Sequence, residues 1–173
     1  MHPTLQVLLD HNTWATRVLI EACRGLTAEQ FHQKFDIGLG SLHDTLRHII
    51  GAMLRWADRI DRRTVRTSIE DEPATSSAHD FLTLLSQADG ELRAIATALE
   101  RSGEWSVLID FPNGSGGMFT FSKAAAMVHV MTHGAHHRAQ AVHIRRRLGL
   151  AALPYDLDAV EVELIERGQL SRA

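Results

Sequence analysis

SKAAAMVHVMTHGAHHRAQAVHIRRRLG, residues 122–149, opens on a serine able to cap a helix, contains no proline and stops at Leu148-Gly149. At about 100° per residue, with Ala126 at zero, Val130, Ala141, Ile144 and Leu148 fall within about 60° of it. That is an apolar face of helical period, and it predicts one long amphipathic helix. A helix of this length must bury its stripe against partners of similar length.

Such partners stand upstream. Leu42, Leu46, Ile49, Met53, Trp56 and Ile60 recur at steps of three and four after Gly38-Leu39-Gly40. Ser41 is placed to cap that helix, with Asp44 three residues on. Phe81, Leu85, Ala88, Leu92, Ile95 and Leu99 repeat the rhythm behind Ser77, to about Arg101. Leu5, Leu8, Leu9, Ala15, Leu19 and Ala22 form the apolar face of a helix over about 4–24, ended by Gly25. Thr27-Ala28-Glu29-Gln30 has capping-box spacing and predicts a short helical turn. Residues 61–76, polar and carrying Pro73, read as a solvated connection. Between 103 and 121, Trp105, Val107, Ile109 and Phe111 alternate before Pro112-Asn113-Gly114, which predicts a short hairpin or extended loop. A short helix over 157–166 follows Pro154. The expected fold is all-α, a four-helix bundle with a long crossover before the fourth helix and a short C-terminal helix.

The 173 residues suit a single domain over 1–173, and 45% apolar with 23% charged is ordinary for a globular protein. Lys+Arg 18 against Asp+Glu 21 gives a net charge of −3 and argues against a nucleic-acid partner. No apolar run approaches the roughly 18 residues of a membrane span, and no leader is evident at the N-terminus. The expectation is a cytoplasmic protein with neither membrane nor nucleic acid as partner. One cysteine, Cys23, permits neither a disulfide framework nor a thiolate metal cage. The unusual count is 11 His, five of them between 129 and 143.

On the same wheel His133 and His137 fall at about −20° and +20°, inside the apolar arc, with Gln140 beside them at about −40°. His129, His136 and His143 lie on one flank. Two imidazoles four residues apart point the same way and can offer nitrogens to one metal ion. Left unpartnered in a core, each would cost on the order of 1–3 kcal/mol. The competing reading is a pair of core histidines satisfied by neighbouring side chains. There is no Glu beside the first His, so the zinc-protease pattern fails. A third ligand must come from elsewhere: His43 and His48 lie on opposite flanks of the second long helix, and periodicity does not choose between them. His11 is a further candidate. His2, His32 and His79 read as solvated.

Several stretches together resemble the DinB-like (DinB/YfiT) family of metal-binding four-helix bundles. They are His11-Asn12-Thr13-Trp14-Ala15-Thr16, then Gly40-Ser41-Leu42-His43-Asp44-Thr45-Leu46-Arg47-His48, then His133-Gly134-Ala135-His136-His137-Arg138-Ala139-Gln140 before Leu148-Gly149. The sequence departs from the family's pattern at His11, where an aromatic residue is usual, and at Thr16, where Asn is usual. The resemblance implies His48, His133 and His137 as ligands of one divalent ion. Three neutral imidazoles leave positions open for water or substrate, and all-nitrogen ligation suits zinc or nickel, with iron or copper also compatible. Family members include thiol-dependent enzymes, mycothiol-dependent maleylpyruvate isomerase and bacillithiol transferases. The resemblance therefore implies an enzyme that activates a low-molecular-weight thiol, or water, toward a small electrophilic substrate. A non-catalytic metal or small-molecule sensor module and a metal-dependent hydrolase are the alternatives.

Gln140, His129, His136 and His11 are the residues expected near the site, His129 and His136 also reading as solvated flank. A second apolar strip on the fourth helix, Val128, Met131, Ala135 and Val142, suggests a homodimer. Arg145 to Arg147 and the run Arg59 to Arg66 read as solvated faces, with recognition of an acidic substrate as the sharper alternative. Trp14, Trp56 and Trp105 read as core, and Cys23 as a small buried residue.

Overall fold

The computed structural model describes residues 1–72, 77–113 and 115–157. Its elements are α1 (Pro3–Glu21), α2 (Ala28–His32), α3 (Leu42–Ile60), α4 (Ala78–Ser102), β1 (Leu108–Pro112), β2 (Met118–Ser122) and α5 (Lys123–Arg147), with 3-10 turns at Glu104–Ser106 and Pro154–Leu157. The fold is a helical bundle carrying one small hairpin. Of the short helix expected over 157–166, all but Leu157 lies outside the described residues.

Local chemistry sets the boundaries. The hydroxyls of Ser41, Ser77 and Ser122 accept the N–H of the third residue of α3, α4 and α5 respectively. Gly103, at φ 71, closes α4 in the left-handed conformation. Thr27 and Gln30 complete the expected capping box at α2. α1 stops at Glu21, before the expected Arg24, because Cys23 and Arg24 donate to the carbonyls three residues back, tightening the last turn. The hairpin pairs Ile109 with Phe121 and Phe111 with Phe119 in antiparallel register.

The four long helices pack cyclically, α1 on α4, α4 on α3, α3 on α5 and α5 on α1. α5 therefore stands diagonally from α4, and the crossover expected before it carries the hairpin. α1 and α3 are diagonal as well, so the bundle has a second crossover, through α2, that periodicity did not reveal. Every residue of the α3 and α4 stripes named from the sequence is buried. On α1, Leu9, Ala15 and Leu19 are buried, Leu5 and Ala22 are partly buried, and Leu8 is 39% exposed. It lines a groove with Leu5 and Trp105, which Val128 of α5 closes. Met131 and Val142 of the second α5 strip are buried within the chain, while Val128 is exposed. Among the described residues no helix is long and apolar enough to cross a membrane.

Two arginine readings need correction. Arg145 is buried and donates to the carbonyls of Ala22 and Ala151. Arg66 clamps Asp58 at 2.7 Å and Glu91 at 2.6 Å, tying the connection after α3 to both α3 and α4. A long arginine whose fork finds two carboxylates is worth more bonded than solvated.

That clamp makes a pH prediction. Burial alone would raise the Glu91 carboxyl, but bonds from Arg66, Gln87 and Arg63 outweigh it and hold it down to about 2. A depressed carboxylate stabilises the fold above its ordinary value, 4.5, and the stabilisation is lost as pH falls toward 2. Glu91→Gln should cost roughly 1–2 kcal/mol at neutral pH, after discounting for solvent, and almost nothing near pH 2. Urea unfolding across that range checks it; a deficit that does not shrink on acidification contradicts the assignment.

Candidate metal centre

α5 is buried on two sides, and this corrects the wheel. Besides Ala126, Val130, Ala141 and Ile144, it buries Met127, Gly134, Arg138, Val142 and Arg145. On the same wheel the buried arc runs from about 0° to about 160°. His133 and His137 therefore sit at its edge beside α3, half-buried, and not at its centre. The polar Arg138 and Arg145 concealed the true arc from a hydrophobicity pattern. Arg138 donates to Asn12 Oδ1 at 2.7 Å and Thr16 Oγ at 3.2 Å, and burial pushes its pKa down to about 10. Gly134 leaves that bond room, since a Cβ there would lie 2.6 Å from Asn12 Oδ1.

Across from the pair stands His48 of α3. One ring nitrogen from each of His48, His133 and His137 lies within 4.8 Å of the other two. His48 Nε2 and His133 Nε2 are 3.1 Å apart. His43, the alternative third ligand, faces elsewhere: it is fully buried, its ring 4.3 Å from His32 and packed on Phe31 and Phe81, and it bonds Asp44. His32 touches that ring from an exposed position, in keeping with its reading as solvated.

Partners on the far side of two rings fix where their lone pairs point. His48 Nδ1–H donates to Glu70 Oε2 at 2.9 Å. His137 Nδ1 lies 2.8 Å from Gln140 Oε1 and Gln140 Nε2 lies 3.0 Å from His136 Nε2, so in this orientation of the amide His137 Nδ1–H donates to its oxygen and its N–H donates to His136. Both rings then present a bare Nε2 to the common centre, the arrangement by which carboxylate and carbonyl acceptors orient metal-binding imidazoles. Two nitrogens each about 2 Å from one ion stand about 3 Å apart, so the donor set fits a divalent metal. Burial first, and then the neighbouring His137, His48, His129 and His136, push the His133 pKa down to about 3, and burial lowers that of His137. Both rings are therefore neutral at neutral pH, each with one nitrogen free of a proton, as metal ligation requires.

Glu70 went unseen in the sequence. It comes from the connection read as solvated, where no periodicity marks a residue that faces inward. The bond from His48 holds its carboxyl down to about 2, against burial and with help from Arg55. Its Oε1 accepts from Arg55 at 2.8 Å and from Ser68 at 3.3 Å. Gly38 has a role beyond punctuation: at φ 53, it lies so close over Gln140 that a Cβ would overlap the amide oxygen.

The remaining candidates divide. His136 touches the cluster through Gln140. His129 stacks between Trp56, at 4.8 Å, and His133, at 5.4 Å, so an aromatic row of Trp56, Phe111 and Phe121 adjoins the centre. His11 is not brought to the site; it bonds the Leu157 carbonyl at 2.9 Å and ties α1 to the C-terminal turn.

A family model described as the DinB family matches residues 1–168. A comparison with curated proteins finds no match.

The geometry predicts that His48 and His137 both carry their proton on Nδ1, which long-range 15N–1H correlation spectra read directly. Gly38→Ala should displace Gln140 and return His137 to the Nε2–H form favoured by free imidazole, leaving His48 unchanged. An unaltered His137 in that variant would mean that Gln140 does not orient the ring.

Proposed function

The chain belongs to the DinB family, and on that premise we propose that it is a divalent-metal-dependent enzyme whose metal is held by His48, His133 and His137. The observation that carries the reading is the convergence of three imidazoles, two of them held from behind by Glu70 and Gln140. Zinc or nickel suits three nitrogens of this kind. When bound there, such an ion supplies the positive charge that converts a thiol into a thiolate nucleophile, or lowers the pKa of water.

The residues around the cluster favour a thiol over water. A hydrolase needs a group to take the water's proton, yet both Glu70 oxygens are committed, one to His48 and the other to Arg55 and Ser68. A thiol, already far more acidic than water, needs no such base. Glu70 and Arg55 hold His48 in place, Gln140 holds His137, and the row from His129 to Trp56 offers an apolar wall to a small electrophile. With one cysteine, buried and pushed up to about 11 by its burial, the chain supplies no nucleophilic sulfur of its own. The thiol comes with the substrates.

Metal-loaded protein mixed with a low-molecular-weight thiol and an activated alkene should consume both in equal amounts, and His137→Ala should abolish turnover. Glu70→Gln should retain the reaction while weakening metal affinity about 10- to 100-fold. Loss of the electrophile with no loss of thiol would assign the chemistry to water. Unchanged turnover in His137→Ala would remove the metal from the mechanism.

A further inference from the structure

The arginine run after Trp56 is not used by the metal centre, and its members have different fates. Arg63 and Arg66 are neutralised by Asp58, Asp61 and Glu91. Arg59 is not. Its guanidinium lies 5.2 Å from the centroid of the Trp56 ring and 4.9 Å from that of Phe111. Its Nε is buried without a hydrogen-bond partner, and among the described residues no carboxylate pairs with it. The adjacent Asp58 is already taken by Arg66 and Arg63.

Arg62 is the second cation with no carboxylate in direct contact among the described residues, although Glu104 lies near enough to feel its charge. Its side chain donates to the Leu108 carbonyl at 3.0 Å. Its backbone is left-handed, φ 56, a conformation that costs a residue with a Cβ about 1 kcal/mol and that glycine would adopt freely. From this position Arg62 lines a cavity.

That cavity, about 440 Å³, lies between the end of α3 and β1. Its apolar wall is Val65, Leu108, Phe111 and Pro112, and it also receives Arg63 and the Asp110 carboxylate, whose Oδ1 accepts the Thr120 hydroxyl at 2.6 Å. The volume is that of a small-molecule site. Arg59 makes no side-chain hydrogen bond among the described residues, and the two terminal nitrogens of a guanidinium match a carboxylate's two oxygens.

We propose that this cavity is a binding site for a small amphipathic carboxylate, its anion held by Arg59 and Arg62 and its apolar body against Leu108, Phe111 and Pro112. The site shares Phe111 with the aromatic row beside the histidine cluster but uses none of the three histidines, and it does not depend on the metal reading. An aromatic ring with a single carboxylate fits both the walls and the charge.

Benzoate and its neutral isostere benzamide are the probes, and the Trp56 indole N–H resonance, assigned with Trp56→Phe, is the readout. Benzoate should shift that resonance saturably, with benzamide about tenfold weaker or more, the difference expected of a hydrogen-bonded charge. Arg59→Gln and the exposed-site variant Arg62→Ala should each weaken benzoate about fivefold or more, on the same ground, with helical circular dichroism unchanged. His133→Ala should leave benzoate binding intact, which separates this site from the metal centre. Equal binding of the two probes overturns the proposal. So does unchanged benzoate affinity in both arginine variants, or a benzoate site that His133→Ala abolishes.

Discussion

Two bare imidazole nitrogens repel when they face each other, yet His48 Nε2 and His133 Nε2 stand 3.1 Å apart. A proton donated from one ring to the other, or a cation bonded to both, satisfies that approach. The surroundings prepare for a cation. Glu70 accepts the far N–H of His48, and Gln140 accepts that of His137. His133 is so weakly basic that its lone pair is free at neutral pH. Much of the nearby architecture serves this geometry: Gly38 covers Gln140, Arg55 and Ser68 pin Glu70, and α3 and α5 bring the rings together.

The position of the cluster on α5 connects packing to chemistry. A histidine pair at the centre of a buried face would be sealed from substrate. The second face of α5, closed against α1 by Met131, Gly134, Arg138 and Arg145, moves the pair to the rim of the core. There the rings are half-buried, with His129 and the aromatic row beside them. Burial lowers the basicity of His133 and His137 without removing them from reach.

The fold was largely legible because it rests on period. The α3 and α4 stripes, the three capping serines and the stop at Gly149 are local signals, and a hairpin was expected from alternation beside a glycine-rich turn. The His133–His137 pair was legible for the same reason, being two residues on one helix. What could not be read came from contacts between distant segments. Glu70 lies in a polar connection with no periodic signature. Gly38 looks like punctuation until Gln140 is placed beneath it. The choice between His43 and His48 depends on which flank of α3 meets α5, and a single helix cannot say; resemblance to the family supplied it. His11 stood out by its place in a motif and is spent on a backbone carbonyl. The arginines misled most, since burial of Arg138 and Arg145 and the stacking of Arg59 invert what charge suggests.

Elemental analysis of untagged protein, run beside His133→Ala under identical purification, tests the central claim most directly. The account predicts about one divalent metal per chain in the parent and almost none in the variant, with helical content retained in both, since the imidazoles sit at the rim of the core and not in it. Full metal occupancy in His133→Ala, or a parent protein that takes up no metal even when zinc or nickel is supplied, would contradict it.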